Sequence, residues 1–164
     1  MIFNGGFEQT ITTPSNMTEP EYFGWETNDA EHVQFMDATE DDQITPGGSH
    51  VAQFASDFES AIGILWQPLT LCPNDTYQLT GWARQNQSAD GCSADFYIGG
   101  TYVGSLNPDE GWTNIWTNAV LYTVGPDAAN ASVNIEARME CTGLADDGTI
   151  GVLEMDELVL DKVT

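Results

Sequence analysis

What this sequence has least of is positive charge. Three Lys and Arg stand against 26 Asp and Glu, a formal net charge of −23. Phosphate backbones are held by clustered Lys and Arg that release counterions, so nucleic acid is excluded as a partner. An anionic membrane surface is disfavoured for the same reason. Long apolar runs are missing too, and no segment has the length of a membrane span. The N-terminus lacks a basic stretch followed by an apolar one, so no signal peptide is read there; an exported module excised from a longer protein would look the same. Catalytic signatures are equally absent. There is no GxSxG elbow, no Cys-His motif and no phosphate-cradling glycine loop, and His32 and His50 lack zinc spacing. Paired carboxylates can hydrolyse glycosides, but among this many acids some lie close by chance. The expectation is a protein that is not an enzyme, with a solubilising acidic surface suited to use outside cells or in acid.

Helical periodicity is the other absence, and alternation fills its place. At 164 residues and 41% hydrophobic, the chain suits one domain, residues 1–164, with a genuine core. Residues 50–55 and 61–71 read as strands, the second ended by the turn chemistry of Cys72-Pro73-Asn74-Asp75. From Tyr77 to Arg84 the alternation is clear: Tyr77, Leu79, Gly81 and Ala83 share one face, and Gln78, Thr80, Trp82 and Arg84 the other. Ala94, Phe96 and Ile98 alternate with Ser93, Asp95 and Tyr97. Gly99-Gly100 then makes a tight hairpin into residues 102–106. Trp112 to Val124 is expected as one long strand, followed by strands over 131–140 and 149–161. Many short strands with one packed and one solvated face mean an all-β protein, a β-sandwich or jelly roll of antiparallel sheets.

Cys72, Cys92 and Cys141 allow at most one internal bridge. If strand direction reverses at each connection, Cys92 and Cys141 reach the same end of the sandwich and Cys72 the other. A Cys92–Cys141 disulfide is therefore expected, with Cys72 buried as a small hydrophobe or pairing outside the module. Four glycosylation sequons, at Asn16, Asn74, Asn86 and Asn130, exceed the roughly one or two that chance gives, which favours a secreted, extracellular glycoprotein. The monomer is the expected state.

The ends of the chain carry two halves of one pattern. Asn4-Gly5-Gly6-Phe7-Glu8 stands near the start and Met155-Asp156-Glu157-Leu158-Val159-Leu160 near the end. First and last strands that meet side by side would place Glu8 and Asp156 round one cation. With Gly24-Trp25, Gly47-Gly48-Ser49-His50-Val51-Ala52, Gln67, Tyr77-Gln78-Leu79-Thr80-Gly81-Trp82-Ala83-Arg84 and Gly111-Trp112-Thr113, these segments span nearly the whole chain in order. In that ordered set the chain resembles the CenC-type carbohydrate-binding modules, the jelly-roll group of families four, nine and twenty-two, in a form common in secreted fungal proteins. The resemblance implies a galactose-binding-domain-like sandwich and a structural calcium (Ca2+). Its ligands would be Glu8, carbonyls of the glycine loop at Gly48 and His50, and Asp156. Calcium takes six to eight hard oxygen ligands and tolerates carbonyls. Asp156 shares alternation with Leu158 and Leu160 and is expected to point inward, where an unpaired carboxylate is costly. The plainer alternative is that Glu8 and Asp156 only accept backbone hydrogen bonds.

Sugar recognition needs aromatic platforms for pyranose faces and planar polar groups for hydroxyls. Trp82 stands on a polar face between Thr80 and Arg84, as a ligand platform or as a ring covered by a loop. Asp95 with Tyr97, and Asn134 with Glu136 and Arg138, take the outward faces of their own strands. The resemblance implies glycan on a concave outer face, with Trp82 where relatives carry a binding aromatic. Trp66 is a second candidate platform, Trp25 and Trp112 are assigned to packing, and Trp116 is left open. The alternative for both arginines is ordinary ion pairing with nearby acids. The reading is a carbohydrate-binding module for a neutral polysaccharide or oligosaccharide, since so anionic a chain repels uronates and sulfates. The other reading is a surface or cell-wall interaction or spacer module with no glycan site.

Overall fold

The computed structural model describes residues 5–7, 24–28, 31–37, 46–56, 62–86, 91–123, 132–141 and 151–163. Those residues form eleven strands and no helix: β1 (Glu26–Thr27), β2 (Val33–Asp37), β3 (His50–Ser56), β4 (Ile62–Thr70), β5 (Thr76–Asn86), β6 (Cys92–Ile98), β7 (Thr101–Leu106), β8 (Thr113–Trp116), β9 (Val120–Leu121), β10 (Ser132–Cys141) and β11 (Gly151–Val163). Two sheets result. One has five strands in the order β1-β4-β10-β6-β7; the other has six, in the order β2-β3-β11-β5-β8 with β9 also on β5. Every pairing is antiparallel. This is the expected two-sheet jelly-roll sandwich.

The core lies between the sheets because each strand alternates. In β6 the pattern is strict, with Cys92, Ala94, Phe96 and Ile98 buried and the residues between them partly exposed. Leu65, Leu79, Phe54, Phe96, Ile135, Met139, Leu153 and Met155 meet in the middle at 2% exposure or less. Each such side chain contributes about 1.5–3 kcal/mol over its exposed state. Phe7, fully buried, is inserted from the N-terminal segment and packs on Trp25 and Phe35, each ring 5.5 Å away. Trp25 is thus a packing residue, as expected.

Three expectations change. The long strand from Trp112 is interrupted at Thr117. The Thr117 hydroxyl accepts the Leu79 N–H at 3.0 Å, its own N–H donates to the Leu79 carbonyl, and pairing with β5 resumes only at Val120. A side-chain oxygen has taken the place of a ladder carbonyl. Asp156 does not share a face with Leu158 and Leu160. It pairs with Trp82, while Leu160 pairs with Leu79, and the register slips between Asp156 and Val159. A β-bulge there sets two residues against Gly81, and the inward set switches from Leu153 and Met155 to Leu158 and Leu160. Glu157 takes a positive φ of 50° in that bulge. Cys72 is exposed in the turn between β4 and β5, which removes the buried alternative and leaves that of a partner outside the module.

Cys92 and Cys141 form the expected disulfide, directly opposite each other on β6 and β10. At the N-terminus, the Gly5 carbonyl accepts the Leu158 N–H at 3.0 Å, so the opening segment lies against the last strand. A Cβ at Gly5 would strike the Leu158 carbonyl, which restricts that contact to glycine.

Candidate functional site

The outer face of the five-stranded sheet gathers six of the residues that the sequence singles out. The registers place Glu26, Trp66, Glu136, Tyr97 and Tyr102 in one row across β1, β4, β10, β6 and β7. The row is tied together side by side. The Trp66 indole donates to Glu26 at 3.1 Å, and Tyr97 meets Tyr102 edge-on with ring centres 5.7 Å apart. Arg138, two residues along β10 on the same face, pairs with Glu136 at 3.0 Å and lies over the Tyr97 ring at 4.2 Å. The Glu136 hydrogen bond is the main cause that holds its pKa above the ordinary arginine value. Asp95 stands opposite Arg138, and Asn134 opposite Pro68, in the flanking rows. The face thus offers indole and phenol rings, three carboxylates, an amide and one guanidinium on a hydrogen-bonded sheet.

Trp82 and Arg84 do not belong to it. Both lie on β5, on the outer face of the six-stranded sheet, and packed sheets stand about 10 Å apart. One ligand on one face cannot reach both sets, so the single face expected from sequence is divided in two. Arg84 is committed elsewhere: it is 7% exposed, ion-paired with Glu154, and its guanidinium lies over the Trp112 ring at 4.9 Å. Gln53 donates to the other Glu154 oxygen at 3.0 Å. The alternative of ordinary ion pairing is the one realised for Arg84, and Trp112 serves packing beneath it. Trp82 is half-buried between Asp156 and Asn114 in register.

The third assembly surrounds Asp156. Its carboxylate is fully buried and accepts N–H groups from Gly47 at 2.9 Å and from Glu157 at 2.7 Å. Three oxygens face the position a Cβ on Gly6 would take: Glu157 Oε1 at 2.9 Å, the Gly47 carbonyl at 3.3 Å and Asp156 Oδ1 at 3.7 Å. Two carboxylates and a carbonyl turned toward one point are a hard-oxygen set. The donor set fits calcium. Gly48 is exposed, and the half-buried His50 has its ring Nδ1 3.2 Å from the Ser49 hydroxyl. Glu8 lies outside the described residues. Among the described residues no three His, Cys, Asp or Glu side chains converge as a metal cluster.

Of the sequons, Asn74 is exposed at a positive φ of 64° in the β4–β5 turn, and Asn86 ends β5, paired with Val152. Asn16 and Asn130 lie outside the described residues. Four contributors escaped the sequence reading. Tyr102 was within reach, because a two-residue Gly99-Gly100 turn sets residue 98 against 101 and residue 97 against 102. Glu26, Glu154 and Glu157 carry no local signal; each acquires its partner from a distant strand or from the bulge.

No protein-family model matches the sequence, and no curated protein matches it. Solved structures of the same fold do. A Stig cyclase, Fisc from Fischerella sp. TAU, has a TM-score of 0.61 at 17% identity, covering 100% of this chain and 98% of that one. TmCBM61, solved with β-1,4-galactotriose, has a TM-score of 0.60 at 19% identity, over 87% and 91% of the two chains. The C-terminal family 22 carbohydrate-binding module of Clostridium thermocellum Xyn10B has a TM-score of 0.57 at 14% identity, over 98% and 97%. At these identities the likeness establishes the fold: the chain has the jelly-roll sandwich seen in carbohydrate-binding modules and in a cyclase.

Proposed function

We propose that this protein is a secreted, non-catalytic carbohydrate-binding module that lays a neutral glycan across the outer face of the five-stranded sheet. The observation that carries the reading is the cross-strand row Trp66–Glu136–Tyr97–Tyr102, with Glu26 at one end. Trp66 stacks on a pyranose ring, Glu136 and Asp95 accept from hydroxyls, Asn134 donates to and accepts from them, and Arg138 orients Glu136. Binding is weak to moderate, because each sugar hydroxyl exchanges good hydrogen bonds to water for bonds to protein. Uronates and sulfates are repelled by the net charge of −23. Secretion is supported by the internal disulfide and by the exposed Asn74 sequon.

A structural calcium accompanies this reading, held by Asp156, the Gly47 carbonyl and Glu157, with Glu8 and the Gly48–His50 loop as the remaining donors expected from sequence. Bound there, the ion would supply charge compensation to a buried carboxylate and clamp the N-terminal segment to β11. The likeness to a cyclase is what keeps an enzymatic reading in view, and no residue of the row repeats a catalytic motif.

The test is a titration with soluble neutral glycans, read by tryptophan fluorescence, against matched uronate oligosaccharides. A saturable change with a neutral glycan, weakened about tenfold in Trp66→Ala, supports the proposal. Silence across a broad neutral panel would favour the spacer reading. Binding that prefers uronates would contradict the charge argument.

A further inference from the structure

The outer face of the six-stranded sheet, opposite the row, carries a second aromatic patch. Trp116 is 75% exposed, more than any other large hydrophobic among the described residues. Its backbone is nevertheless well anchored. Thr117, the next residue, is 3% exposed, and its N–H, hydroxyl and carbonyl all bond to Leu79 or Gln78 of β5. Asn118 then donates to the Val103 carbonyl at 2.7 Å. An indole held outward on a pinned strand end is a pre-organised platform, since little backbone freedom is left to lose on contact.

Register supplies its neighbours. Trp116 stands opposite Thr80, and Asn114 opposite Trp82, so the two indoles are diagonal neighbours about 7–8 Å apart at the backbone. Val159, 39% exposed, flanks Thr80 from the other side. None of these residues is charged. The carboxylates around it are engaged or lie one row away: Asp156, beside Trp82, is fully buried, Glu157 turns its carboxylate toward Gly6 and Gly47, Glu154 is buried and paired with Arg84, and Asp161 stands opposite Gln78. On a chain with 26 acids, an uncharged patch of two indoles, an amide and a hydroxyl is a local exception. A cationic partner finds no carboxylate within it to pair with. An anionic partner, or a second copy at −23, is repelled by the surroundings.

We infer that Trp116 and Trp82, with Asn114, form a second contact for a neutral glycan on the face opposite the row. The indoles stack on successive sugar rings, and the Asn114 amide donates to and accepts from hydroxyls. With one platform on each face, the module bridges two glycan chains.

The five tryptophans give five indole N–H signals in an isotope-labelled sample, and Trp66→Phe and Trp116→Phe assign the two that matter. Cellohexaose, xylohexaose and β-1,4-galactotriose are added in turn. The inference expects saturable movement of the Trp116 signal with at least one of them, preserved in Tyr97→Ala, which disables the row alone. It also expects Trp116→Ala to keep the melting temperature and to lower retention on insoluble cellulose or xylan about tenfold. A Trp116 signal that stays still while Trp66 moves overturns the second contact and leaves the row standing. Movement of Trp116 without Trp66 supports the second contact and defeats the row. A Trp116 shift that follows protein concentration alone makes the patch an interface between copies and overturns the inference, as does stillness of both signals throughout.

Discussion

Arg84 and Arg138 sit on strands with the same alternation, yet their surroundings set opposite energetics. Arg84 is buried with Glu154 beside Trp112, whereas Arg138 is 43% exposed in its side chain and shares Glu136 with the solvent. Removing one member of a buried pair leaves the other charge uncompensated. Arg84→Ala is therefore expected to lower stability by about 3–5 kcal/mol in denaturant unfolding, with glycan affinity on the opposite face unchanged. Arg138→Ala should leave the unfolding midpoint nearly unchanged and weaken glycan binding instead, because Glu136 loses the group that orients it. The sequence showed that both arginines point out of the core. It could not show which carboxylate each would pair with or how deeply the pair would be buried, because Glu154 is 70 residues away from Arg84. Tyr102 was legible in principle, from the length of the Gly99-Gly100 turn alone.

At the scale of elements, the bulge in β11 accounts for most of the difference between expectation and structure. Alternation counted straight through Asp156 puts it in the core with Leu158. One extra residue moves it to the face of Trp82, where the Gly47 segment buries it anyway. Bulges are set by cross-strand partners, here Gly81, and leave no periodicity of their own in a single strand. The disulfide was legible, since counting strand reversals brings Cys92 and Cys141 to one end. It closes a loop of 49 residues, and the chain-entropy account puts its contribution at about 4 kcal/mol. Replacing both cysteines with alanine should cost about 2–4 kcal/mol in chemical unfolding and leave the glycan face intact. At the far end of β11, Lys162 pairs with Asp75 at 2.8 Å, and that hydrogen bond is the main cause that raises its pKa above the ordinary 10.5. A raised lysine pKa stabilises the fold below the unfolded value and loses that contribution as pH rises through the folded one. Unfolding midpoints of the wild type and Lys162→Met should therefore differ slightly at neutral pH and converge in strong alkali.

Across the whole molecule, charge is the organising constraint. All three Lys and Arg side chains are paired, so none is left to offset the remaining acids. A divalent cation at the Asp156 cluster would relieve part of that repulsion and tie the chain's opening segment to its last strand. Added calcium is expected to raise the melting temperature, chelator to lower it, and Asp156→Asn to abolish the response; an unchanged temperature in all three would remove the ion from the account. The sandwich itself was legible from alternation and turn chemistry. The division of the aromatic residues between two faces was not, because alternation tells in from out and never which sheet a strand joins. With Arg84 and Trp82 on the other sheet, glycan binding depends on the row of the five-stranded sheet. The most direct test is isothermal titration of the wild type and of a Trp66→Ala, Tyr97→Ala double variant with the neutral glycan that binds best. The heat of the five-stranded face should disappear in the double variant while the fold and its disulfide persist. An unchanged isotherm in a folded double variant would contradict it.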